Sequence, residues 1–106
     1  MADANATNDE GVAIQRHVHE AGGRYVATIA GSDARAELVY RRAGENRIIA
    51  EHTAVPDAFR GRGIGHLLVE RMVEDARAEG LKITARCPFV KRERDRHPAW
   101  ADAFEG

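Results

Sequence analysis

Apolar and polar positions alternate through the first half of the chain, and the period lengthens to a helical one in the second. Val12 to His19 alternates loosely, with Val12, Ile14 and Arg16 set against Ala13, Gln15 and His17. Ala21-Gly22-Gly23 supplies turn chemistry, and Arg24 to Ala30 follows with Tyr25, Ala27 and Ile29 on one face. After Gly31-Ser32-Asp33, the stretch Ala34 to Arg42 places Ala36, Leu38 and Tyr40 inward. Ala43-Gly44-Glu45-Asn46 turns the chain into Ile48 to Val55, a β-branched and apolar run stopped by Pro56-Asp57. Links this short suit antiparallel neighbours, so the first half predicts a meander of four strands.

From Ile64, the residues Leu67, Leu68, Met72 and Ala76 recur at helical spacing, and Val69 and Val73 widen the stripe. Gly80 is placed to end that helix. Leu81 to Cys87 reads as a fifth strand. A strand–helix–strand unit of this length implies a right-handed crossover and parallel pairing of Ile48–Val55 with Leu81–Cys87. Pro88 opens a charged helical segment to Arg96, and Pro98 begins a last turn carrying Trp100 and Phe104. The fold class is therefore α+β (α/β), a compact mixed sheet with short C-terminal helices. Residues 1–11 are small, polar and acidic and predict a disordered tail, leaving residues 12–106 as a single domain.

Composition narrows the partners. The chain has 106 residues and a formal net charge of −1, so no global field gathers nucleic acid or anionic membrane. No apolar run approaches the ~18 residues of a membrane span. A single cysteine forms no internal disulfide, and the first residues lack the order of a signal peptide. A cytoplasmic protein, monomeric or weakly dimeric, is the expectation.

The chemistry gathers between the fourth strand and the first helix, at Arg60-Gly61-Arg62-Gly63-Ile64-Gly65. A helix leaves its first N–H groups without intrahelical partners, and its dipole adds about half a positive charge there. Glycines let the backbone approach a ligand, and arginines add forked donors. Such a turn suits a phosphate or diphosphate. It is not a Walker A loop, because Gly65 is followed by His66-Leu67 rather than Lys-Ser/Thr. A dinucleotide fingerprint is also missing, since the third glycine falls at His66 or Leu68.

Two other groups carry reactivity. Cys87 ends the fifth strand just before Pro88, at or near a helix N-cap, where a thiol gains thiolate character; a small apolar strand-end residue is the plain alternative. His52 lies on the neighbouring strand, on one face with Ile48, Ala50 and Ala54 in strict alternation. A register bringing both to one edge would set an imidazole beside a thiol, the group set for nucleophile activation. His17 and His19, two apart on a strand, read as structural, and no metal site is expected. Glu93 and Asp95, interleaved with Lys91, Arg92, Arg94 and Arg96, read as a solvated helix face.

Arg60-x-x-Gly63-x-Gly65 resembles the acyl-CoA diphosphate loop of the GNAT acetyltransferase superfamily. His52-Thr53-Ala54-Val55-Pro56, Cys87-Pro88-Phe89-Val90 and His97-Pro98 narrow the likeness to its small YjdJ-type branch, over roughly residues 12 to 103. The resemblance implies an N-acetyltransferase using acetyl-CoA and an unidentified amine acceptor, with no nucleic acid or membrane partner. It implies diphosphate on Arg60, Gly61, Arg62, Gly63, Ile64, Gly65 and His66, pantetheine along Ala54 and Val55, and His52 with Cys87 as the catalytic pair. A non-catalytic CoA-binding module is the alternative. The chain departs from the superfamily in lacking its usual first helices and a tyrosine after the fifth strand; Tyr25 and Tyr40 both come early.

Overall fold

A computed structural model describes residues 6–7 and 11–105 of the chain. Six strands form one mixed sheet in sequence order: β1 Ala6–Thr7, β2 Val12–His19, β3 Gly22–Ile29, β4 Ala36–Arg42, β5 Arg47–Ala54 and β6 Lys82–Ala85. Every neighbouring pair is antiparallel except β5 and β6, which run parallel with Ile48 opposite Ile83 and Ala50 opposite Ala85. Helix α1, Ile64–Glu79, makes the crossover between them; α2, Pro88–Arg96, and a 3-10 helix, Pro98–Ala103, follow. The expected meander and crossover are both present. One part of the expected tail differs, because Ala6 and Thr7 pair with Ile14 and Ala13; the remainder of residues 1–10 lies outside the described residues.

The core lies between one sheet face and α1. Tyr25, Ala27, Ala36, Leu38, Tyr40, Ile48, Ala50 and Ile83 from the sheet meet Ile64, Leu68, Val69, Met72, Val73 and Ala76 from the helix. These helical positions follow the i, i+4, i+8 rhythm that puts one stripe against a sheet. Gly80, at φ 71°, closes α1 by donating to the carbonyls of Ala76 and Arg77.

A polar network pins the last turns of α1 to the far end of the sheet. Tyr25 donates to Asp75 Oδ2 at 2.8 Å, and Arg16 reaches Asp75 at 3.3 Å and Glu79 Oε1 at 3.0 Å. The Arg16 guanidinium lies 5.6 Å from the Tyr25 ring centroid and 5.8 Å from that of Tyr40, a cation–π arrangement. Burial pushes the Tyr25 phenol far above its ordinary range, with Asp75 adding to it. The Arg16 hydrogen bond holds the Glu79 carboxyl below its ordinary range.

A carboxyl depressed on folding stabilises the fold above its unfolded pKa, and that contribution is lost as pH falls through the folded pKa. Glu79→Gln is therefore expected to cost under about 1 kcal/mol at neutral pH, because the pair is partly exposed. In urea titrations at stepped pH, the gap between wild type and variant should hold at pH 7 and close only below the ordinary glutamate range.

Candidate active site

The chain leaves β5 at Pro56 and makes a short 3-10 turn over Asp57–Phe59 before α1. Within that turn the amides of Arg60 and Arg62 are consumed, donating to Asp57 O at 3.0 Å and Phe59 O at 3.2 Å. The first intrahelical bond runs from Leu67 N to Gly63 O. The amides of Gly61, Gly63, Ile64, Gly65 and His66 have no acceptor among the described residues. The amides without an acceptor among the described residues are thus a narrower set than Arg60 to His66: the backbones of both arginines serve the turn itself. Arg60 also pairs at the surface with Asp57 at 2.7 Å.

Two glycines are conformational requirements. Gly63, the N-cap, sits at φ 70° and Gly61 at φ 79°, both left-handed. Gly65 is required for a different reason: a Cβ there would stand 2.6 Å from Cζ of Phe89. The first turn of α1 therefore abuts α2 directly. Val55, Phe59, Phe89 and the loop border a cavity of about 250 Å³, which His66 and Glu93 also line. Ala54 is exposed and does not border it.

Beside this cavity the two parallel strands part. Their pairing ends at Ala50–Ala85, and the amides of Arg86 and Cys87 both converge on the Ala50 carbonyl at 3.0 Å. β5 runs on to Ala54 against β4 alone. It does so through a β-bulge: Tyr40 pairs with Ala50 but Val39 with His52, leaving Glu51 as the extra residue. A bulge shifts the two-residue alternation by one. Thr53, opposite buried Leu38, takes over the core face from Ala50, while His52 moves to the opposite face beside Val39.

The register therefore does not set His52 beside Cys87. Cys87 is the N-cap of α2 and 5% exposed, and its thiol donates to Thr53 Oγ1 at 3.4 Å. His52 is exposed, without a hydrogen bond among the described residues. Strict alternation misplaced His52 because nothing in a single strand's residues announces a bulge; Thr53 was missed for the same reason.

Glu93 was also missed. Instead of lying on a solvated face it is 5% exposed, and His66 Nδ1–H donates to its Oε1 at 2.7 Å. The signal was present, since Val90, Glu93 and His97 fall at i, i+3 and i+7, one stripe of α2. His97 Nδ1–H donates to the Glu93 carbonyl at 2.8 Å; Trp100 stacks on His97 at 4.3 Å and on His66 at 5.6 Å between centroids, while the two imidazoles stand tilted 4.9 Å apart.

The fold and site define a mixed α/β protein in which a glycine-rich helix start follows a parted parallel strand pair. The sequence profile of the GCN5-related N-acetyl-transferase family matches residues 24–103, and the chain belongs to that family. It is similar to the NATD1 proteins of Xenopus tropicalis (37% identity over 58% of this chain and 57% of that one) and Gallus gallus (30% over 79% and 76%). The match thus spans just over half the length of the first. The fold is similar to the NMR solution structure of a GCN5-like protein from Staphylococcus aureus, at TM-score 0.68 and 29% identity, covering 93% of this chain and 92% of that one.

The loop geometry gives a graded expectation at position 63. Gly63→Ala forces an alanine into the left-handed region and should lower unfolding free energy by roughly 1–2 kcal/mol, whereas Gly63→Asn should cost less. Urea denaturation reads both; equal costs would mean that the loop relaxes out of its left-handed turn.

Proposed function

We propose that the chain is an acetyl-CoA-dependent N-acetyltransferase of the small YjdJ type, transferring acetyl to an amine. The observation that carries this reading is a group of five amides at a helix start that have no acceptor among the described residues and belong to residues lining one cavity. Oriented N–H groups and the helix dipole suit a diphosphate, and open space beside them lets it approach. The edge of β5 beyond Ala50 pairs with no strand on its β6 side, which leaves main-chain groups of Ala54 and Val55 for the amides of a pantetheine arm.

Acetyl-CoA, when bound, supplies an acyl group already activated as a thioester. The chain's own contribution is to hold it beside an amine and to take the proton that the amine loses. Holding both reactants removes much of the entropic part of the barrier. His52, exposed and with a free imidazole, takes that proton from the open face of the sheet. Cys87 and Thr53 border the gap from the core face. In this arrangement His52 acts on the amine and not on the Cys87 thiol. The opposite-face placement of the two also favours a second reading, a CoA-binding module without turnover.

Calorimetry with CoA and acetyl-CoA tests the binding, and thiol release in the presence of polyamine and peptide amines tests the transfer. Binding that weakens with added salt, with a kcat about 100-fold lower in His52→Gln and largely retained in Cys87→Ala, is the expected result. Tight CoA binding with no acetylated amine would select the module; no binding by the folded chain would end both readings.

A further inference from the structure

Glu93 is a carboxylate only 5% exposed, and buried charge must be paired or coordinated. Its Oε1 accepts from His66, and its Oε2 pairs loosely with Arg96 at 3.9 Å. Two imidazoles converge on this carboxylate from different elements. His66 comes from the first turn of α1, and His97 from the end of α2, four residues after Glu93. One ligand-capable atom from each of the three lies within 4.8 Å of the others.

We propose that His66, Glu93 and His97 form a binding site for a divalent transition metal of the zinc type. Two imidazoles and a carboxylate make a donor set that zinc accepts with one position left open. Magnesium and calcium are disfavoured, because they take oxygen ligands almost exclusively. The spacing of the two imidazole rings is compatible with a shared metal. A metal in the plane of two imidazoles at about 2.0–2.1 Å from each nitrogen holds their centroids roughly 5 Å apart at a near-tetrahedral angle. The His66 and His97 rings already stand 4.9 Å apart, tilted by 31°. Trp100, 4.3 Å from the His97 ring and 5.6 Å from that of His66, fixes the orientation of both.

A backbone contact holds one of these rings in place. The bond from His97 Nδ1 to the Glu93 carbonyl sets that ring's tautomer and leaves Nε2 with a lone pair, the way a ligating histidine is commonly held. Binding displaces the proton between His66 Nδ1 and Glu93 Oε1, which passes to solvent. His66 and Glu93 also border the 250 Å³ cavity beside the glycine-rich loop. The site does not depend on the proposed acetyl transfer.

The test uses the full-length chain with Zn²⁺ and Co²⁺ as probes. Expected are one equivalent bound in calorimetry, visible d–d bands of four-coordinate Co²⁺, and Zn²⁺-induced shifts of the ring nitrogens of His66 and His97 in nitrogen-resolved NMR. Glu93→Gln and His97→Phe should each weaken binding at least about tenfold. His17→Ala/His19→Ala, altering exposed strand histidines, should leave it unchanged. Shifts confined to His17 and His19, unchanged affinity in the Glu93 and His97 variants, or no binding at all would overturn the proposal. Should a variant fail to fold, the ring-nitrogen shifts of the wild-type chain decide alone.

Discussion

The Ala50 carbonyl is the point on which the molecule turns. It takes the last two hydrogen bonds between the parallel strands, from Arg86 and Cys87, and no ladder continues beyond it. A buried carbonyl with two lone pairs can end a ladder in this way without leaving a polar group unpaired. Past that point β6 gives way to α2, while the bulge at Glu51 lets β5 continue beside β4. The gap, the exchange of Thr53 for His52 on the core face, and the meeting of α1 with α2 all follow from that one parting.

Helix α1 is held at both ends by different physics. At its C-terminal end, Asp75 and Glu79 are tied to Tyr25 and Arg16 by hydrogen bonds and charge. At its N-terminal end the hold is steric and polar together: Gly65 lets the Phe89 ring approach, and His66 bonds to buried Glu93. The free amides of the first turn are thereby fixed in space. A donor group that is pre-oriented pays little reorganisation when an anion arrives, which is why a rigid seating matters more here than the number of arginines. The same seam between α1 and α2 brings two histidines and a carboxylate together.

Membership of the GCN5-related family agrees with this arrangement, and the similarity to the Staphylococcus aureus structure covers nearly the whole chain. The sheet carries α1 on one face, and on the other Val39, Ile49, Glu51 and Thr84 are only partly covered among the described residues. His52 lies on this second face, beside Val39.

Local chemistry alone determined much of this protein. Period-two alternation fixed which faces of β3 and β4 are buried, the i, i+4 stripe fixed α1, and Pro88 and Gly80 fixed where helices start and stop, because each depends on residues near in sequence. Arg60 to Gly65 likewise marked the start of α1, with Gly63 as its N-cap. Tertiary structure decided what depends on partners far along the chain. The bulge arises only when β5 pairs with β4, and it carries His52 to the face opposite Cys87. The burial of Glu93 arises only when α2 docks against α1, since a glutamate among arginines looks solvated until a neighbouring helix supplies a histidine to receive it.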